Sequence, residues 1–161
     1  MSYENQFSAH TQLKLSPFFE RTSKLNESQE WRRWSGYLAA TNYELHHENE
    51  YFAIRTKAAL LDISPLYKYS IEGPDSLLFL DGLVTRNIQI CKIGQIMYTP
   101  WCDENGKVVD DGTVQRLGKN DFRLTSAEPN LTWLMDNTSG MNLCINDDTK
   151  TTAALALQGP N

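Results

Sequence analysis

The sequence predicts an α+β domain whose sheet, antiparallel or mixed, is flanked by helices, and three observations predict it. Tyr67, Tyr69 and Ile71 alternate with Lys68, Ser70 and Glu72, the period of a strand with one buried face. Asn105-Gly106 lies between two strand-like runs, a strong local signal for a hairpin. From residue 67 onward the patterns follow the order β-α-β-β-β-α-β-β, which breaks the strict alternation of a parallel sheet.

Residues 1 to about 27 keep no period for long, although they contain Leu13, Leu15, Phe18 and Phe19; they read as an arm laid on a core. From Ser28 the spacing of Trp31, Trp34, Tyr37 and Leu38 predicts a helix, and after a break near His46 a second helix is predicted with Tyr51, Ile54, Ala58 and Leu61 on one face. Gly73-Pro74-Asp75 closes the strand at 67–72 and opens a helix carrying Leu77, Leu80 and Val84. Strands over 95–102, 107–117 and 122–126 then form a meander. A helix over 129–137 is expected to turn Leu131, Leu134 and Met135 inward, and short strands follow at 143–145 and 153–158. Gly159-Pro160-Asn161 repeats the signal that opened a helix at Gly73. The expectation is therefore an N-terminal part of a longer protein, poorly folded or aggregation-prone alone, with an arm and helix over 1–48 and a partial domain over 49–161.

Composition narrows the function classes. The 161 residues are 40% hydrophobic and 22% charged, as in a globular protein, and 15 Lys and Arg against 20 Asp and Glu give a net charge of -5. That sign argues against a nucleic-acid partner. No apolar run approaches the roughly 20 residues of a membrane span, and no basic-then-apolar leader opens the chain, so no membrane partner is expected. Cys91, Cys102 and Cys144 lack metal-ligand spacing and read as reduced thiols in a cytoplasmic protein. His46-His47 reads as a solvated helix end, so no metal is expected. GxGxxG, GxxxxGK[ST], GxSxG and HExxH do not occur.

Asp110-Asp111 is the most chemical pair in the chain. Neighbours on a strand face opposite ways, which forbids a proton-sharing dyad. Alternation puts Asp110 with Val108, Gly112 and Val114 on the more apolar side and Asp111 with Lys107, Thr113 and Gln115 on the polar side. A carboxylate on an apolar face is either functional or satisfied locally, by capping a loop N–H or by pairing with Arg86 or Arg116. Tyr98 either lines an aromatic ligand pocket with Trp101 or is a core aromatic.

Read in order, Tyr51-Phe52-Ala53-Ile54-Arg55, Ala59-Leu60-Leu61-Asp62-Ile63-Ser64, Ile71-Glu72-Gly73-Pro74-Asp75, Gly94-Gln95-Ile96-Met97-Tyr98, Asp110-Asp111, Phe122-Arg123-Leu124 and Ala156-Leu157-Gln158-Gly159-Pro160 resemble the folate-binding aminomethyltransferase family of the glycine cleavage T-protein. The resemblance implies the N-terminal part of that family's folate-binding domain. It implies transfer of an aminomethyl or methyl unit from a small-molecule donor to tetrahydrofolate, and leaves open a carrier protein as partner. It also implies that Asp110 is the catalytic carboxylate against the folate nitrogens, that Tyr98 and Leu66 line the folate pocket, and that a fragment is inactive alone. Two departures stand out: the family's His after Asp-x-Ser is Pro65, and its Asn beyond Phe-Arg-Leu falls on Ala127. Folate-dependent demethylases, the folate domains of dimethylglycine and sarcosine dehydrogenases, and a non-catalytic folate-binding module share the pattern.

Overall fold

The computed structural model describes residues 13–161. They divide into two compact units, one made of the residues up to Pro65 together with Leu155–Asn161, the other of Leu66–Ala154. No helix among the described residues is long and apolar enough to cross a membrane.

In the first unit a short helix α1 (Phe19–Thr22) precedes a hairpin of β1 (Trp31–Trp34) and β2 (Tyr37–Ala40), paired from Trp31↔Ala40 to Trp34↔Tyr37. The spacing of Trp31, Trp34 and Tyr37 had predicted a helix here, and the turn explains the difference. Ser35 and Gly36 both take positive φ, 48° and 80°, the two-residue turn whose twist suits a hairpin and stops a helix. Lys14 joins as a bridge: its N–H donates to the Gly36 carbonyl at 2.9 Å and its own carbonyl accepts from Leu38 N at 2.8 Å. Of the expected N-terminal arm, residues 1–12 lie outside the described residues.

Helix α2 (Glu48–Thr56) begins at exposed His47 and ends earlier than predicted. Ala58 and Leu61 are not on its face, because β3 (Ala59–Asp62) starts there and pairs antiparallel with β9 (Leu155–Gln158). That ribbon exposes Leu60, Leu61, Leu155 and Leu157.

The second unit is a five-stranded sheet in the order β5-β6-β7-β4-β8, antiparallel at every pairing. Its strands are β4 (Tyr67–Glu72), β5 (Ile96–Cys102), β6 (Val108–Arg116), β7 (Asp121–Ser126) and β8 (Cys144–Asp147). Helices α3 (Ser76–Leu83) and α4 (Leu131–Asp136) supply Phe79, Leu80 and Leu134 to a core with Tyr69, Ile71, Met97, Trp101, Val114, Phe122 and Leu124 from the sheet. Of the two predicted sheet types, the antiparallel one forms, with strands and helices segregated as an α+β fold requires.

Three local expectations change. Lys68 and Ser70 are buried as well as Tyr69 and Ile71, so β4 is covered on both faces; its inner place between β7 and β8 overrides the half-buried period. Met135 is exposed and Leu134 is the buried residue of α4, because six residues give a helix only one inward turn. Val108 leaves the face of Asp110: Trp101 pairs with Asp110 but Cys102 with Val108, so Val109 is the extra residue of a bulge and the alternation slips there.

Gly112 marks the closest approach of β6 to β7, where a Cβ would run into the Thr125 carbonyl oxygen. The substitution Gly112→Ala is therefore expected to cost about 3 kcal/mol by overpacking a site whose obstacle is backbone. A urea melt of the variant against the parent protein checks it.

Candidate functional site

The bulge and the β5–β6 register decide what each acidic side chain meets. Asp110, opposite Trp101, is 7% exposed on the core face. Its Oδ1 accepts the N–H of Asp111 at 2.8 Å, and its Oδ2 accepts Glu128 N at 3.1 Å and Asn130 Nδ2 at 2.7 Å. Asn130 is the N-cap residue of α4, yet its side chain makes no cap bond and turns to the sheet. Its Nδ2 also donates to the Glu128 carbonyl at 2.9 Å, its Oδ1 accepts Trp101 Nε1 at 3.4 Å, and its N–H donates to Tyr69 Oη at 2.8 Å. Burial pushes the Tyr69 phenol above the usual tyrosine range.

Every polar atom of the Asn130 side chain is thus engaged, as a buried network requires. The arginines weighed as partners of Asp110 are occupied elsewhere. Arg116 donates to the carbonyls of Cys91, Gly118 and Lys119, and Arg86 reaches the Tyr98 carbonyl at 3.5 Å. Of the readings open for Asp110, capping of loop N–H groups is the arrangement present.

Tyr98 lies on the other face. It is paired with Thr113, next to the Pro100↔Asp111 pair, and its Oη donates to Asp111 Oδ2 at 2.6 Å. Both side chains are exposed, Tyr98 at 58%. The Asp111 carboxylate, by accepting that hydrogen bond, raises the Tyr98 phenol above the usual tyrosine value. The register extends the face across the sheet through Thr125 and Lys68. One step beyond the paired residues Tyr67↔Ser126 and Gly112↔Ser126, the same alternation sets Leu66 and Ala127 in the row of Asp111.

The structure therefore brings Tyr98 and Leu66 to one face and Asp110 to the opposite one. The carboxylate beside Tyr98 is that of Asp111, the residue that alternation along the strand sets on the polar side. Alternation separates Asp110 from Asp111 correctly; what it omits is the cross-strand register, which puts Tyr98 on the side of Asp111. Asn130 also escaped the sequence reading, since an Asn after Pro at a helix start reads as a cap and nothing local ties it to a strand 20 residues earlier.

The first unit holds a cleft of about 360 Å³ lined by aromatic and apolar residues including Phe19, Trp31, Trp34 and Ile54. Its carboxylates are tied locally: Glu44 accepts Asn49 Nδ2, Glu50 accepts the N–H groups of Tyr43 and Glu44, and Asp62 accepts Ser16 Oγ and Ser64 N. None of Leu66, Tyr98 and Asp110 lines it. Among the described residues no cluster of three or more His, Cys, Asp or Glu side chains could hold a metal ion.

Tyr98 is expected to ionise at higher pH than an ordinary tyrosine and to return to the ordinary value in Asp111→Asn, because an amide neither repels phenolate nor favours the phenol so strongly. An NMR titration of the ring carbon bearing the hydroxyl reads both values, and an unshifted Tyr98 in the parent protein would contradict the pairing.

An antiparallel five-stranded sheet, helices on its core face and an exposed phenol–carboxylate pair on the other, defines a small α+β domain. The model of the GCVT N-terminal domain matches residues 18–161, and the chain belongs to that family. Among curated relatives, an aminomethyltransferase of Halothermothrix orenii is 32% identical over 92% of this chain and 42% of its own length. A trimethylamine-oxide aldolase of Ruegeria pomeroyi is 36% identical over 69% of this chain and 14% of its own. The crystal structure of glycine cleavage system aminomethyltransferase T from Bartonella henselae matches with a TM-score of 0.82 at 27% identity, over 92% of this chain and 41% of that one. The chain thus spans about two fifths of the length of the aminomethyltransferases it matches.

Proposed function

We propose that the protein transfers a one-carbon unit, aminomethyl or methyl, from a small-molecule donor to tetrahydrofolate, in the manner of the glycine cleavage T-proteins, and that the Tyr98–Asp111 face meets the cofactor. The likeness to aminomethyltransferases over 92% of the chain supports the reaction class. The observation that carries the site is the 2.6 Å hydrogen bond between two exposed side chains, Tyr98 and Asp111. The donor set fits a reduced pterin: an exposed aromatic ring against which a flat heterocycle can stack, and a carboxylate oxygen, Oδ1, open to an N–H group.

Bound tetrahydrofolate supplies the nitrogen that accepts the one-carbon unit. Asp111 would orient that nitrogen through Oδ1 and stabilise positive charge developing beside it. Tyr98 holds Oδ2 and so fixes which oxygen faces the ligand. Leu66, in the same row, gives an apolar edge. Asp110 stays behind the strand.

A protein carrier of the donor group and a cytoplasmic location belong to the same reading; free Cys91, Cys102 and Cys144 are consistent with a reducing compartment. A second reading, in which the donor is a methylated amine, draws on the likeness to the trimethylamine-oxide aldolase over 69% of this chain. Calorimetric titration of the full-length protein with tetrahydrofolate tests the core of the proposal. Mass analysis of the folate after incubation with an aminomethyl donor or a methylated amine separates the donors. Absence of folate binding would overturn the reading.

A further inference from the structure

The Asp110 carboxylate joins two pieces of backbone that the sheet ladder leaves apart. Opposite Asp111 stands Pro100, whose carbonyl is turned away to accept Thr85 N at 3.0 Å, so this pair offers the Asp111 N–H no acceptor. On the far side of Asp110 the bulge at Val109 breaks the pairing. Between these interruptions the Asp111 N–H is taken by Asp110 Oδ1, while Oδ2 grips Glu128 N and Asn130 Nδ2. Asn130 is in turn fixed from the core by Tyr69 Oη and Trp101 Nε1.

We propose that Asp110 is a positioning residue: through its bonds to the Asp111 N–H and to the Asn130 loop it anchors the Asp111 backbone to the buried core, and so holds the Asp111 carboxylate in place beside Tyr98. The proposal rests on the reading above for its catalytic consequence, though not for its geometry. A carboxylate suits the task because three N–H donors converge on it and it offers only acceptors. An amide at 110 would keep one acceptor oxygen and turn an NH2 group toward one of those donors. Either the loop or the Asp111 N–H then loses its partner, and the strand beside the bulge is free to shift. Misplacement of a reacting group by about 1 Å can cost about 100-fold in rate.

The test is a double-mutant cycle in the full-length protein with Asp110→Asn, Asp111→Asn and both, read by turnover at saturating tetrahydrofolate and by the Tyr98 NMR titration. Asp110→Asn is expected to lower kcat about 100-fold with KM nearly unchanged, and to bring Tyr98 back toward ordinary tyrosine ionisation. In the Asp111→Asn background it should add nothing to either readout, because the group it positions is gone. An Asp110→Asn loss that multiplies in that background, or a Tyr98 titration moved by Asp111→Asn and untouched by Asp110→Asn, would overturn the proposal. If Asp110→Asn does not fold, Asn130→Ala removes one of the two donors to Oδ2 and leaves Glu128 N in place, so it should shift Tyr98 in the same direction by less; no shift in a folded Asn130→Ala would count against the anchor. A fully active Asp111→Asn protein would sink the functional reading, and the Tyr98 titration would still decide whether Asp110 holds Asp111.

Discussion

Replacing Asn130 by Asp is expected to destabilise the fold by about 3–5 kcal/mol at neutral pH and by far less in acid. The parent Asn130 Nδ2 lies 2.7 Å from Asp110 Oδ2, in a place where Asp110 is 7% and Asn130 4% exposed. A carboxylate in its stead sets two like charges within hydrogen-bond distance and turns an acceptor toward the Glu128 carbonyl as well. Two such groups cannot both be charged in a dry site, so the folded variant must keep a proton between them. The unfolded chain releases its carboxyl protons near pH 4, about 3.9 for Asp. With the folded form binding more protons than the unfolded one, stability falls as pH rises above that point and recovers below it. Melting temperatures of variant and parent between pH 3 and pH 8 read the gap directly. A constant difference across that range would mean that the 110 and 130 side chains move apart.

The second large effect concerns turnover. Asp111→Asn is expected to lower kcat by about 100- to 1,000-fold while leaving the melting temperature within a degree or two of the parent. The size follows from the role proposed for Asp111, a charged group placed where charge develops in the transition state. The small stability change follows from exposure, since Asp111 is exposed and its side-chain bond is to exposed Tyr98. Tetrahydrofolate affinity should fall much less than kcat, because an amide oxygen still accepts an N–H. Equal losses in affinity and in kcat/KM would assign Asp111 to ground-state binding and return the catalytic role to another group.

What was legible in the sequence was local. The strand at Tyr67–Glu72, the helix after Gly73-Pro74-Asp75 and the meander around Asn105-Gly106 are written in periods and turn residues a few positions apart, and each forms. The β1–β2 hairpin was missed because its turn needs Ser35 at φ 48°, a conformation few L-residues adopt and no period reveals. The β3–β9 pairing joins Ala59 to Gln158, a contact without a local signature. At the site, burial of Asp110 followed from alternation along one strand. The partnership of Tyr98 with Asp111 required counting across the hairpin, and the partnership of Asp110 with Asn130 required the whole tertiary fold.

Pro100 has a consequence beyond its place opposite Asp111. β5 is a terminal strand of the five-stranded sheet, and a free strand margin invites a second polypeptide to add itself as one more ribbon. At Pro100 that margin offers no N–H, and its carbonyl is occupied by the Thr85 N–H and by the Thr85 and Thr99 hydroxyls. A bridge from Val84 to Trp101 covers the next position. Only the stretch before Pro100 is left to recruit a neighbour, too short for a stable intermolecular ladder. The proline that stands opposite Asp111 thus also keeps this margin of the sheet from taking up a further strand.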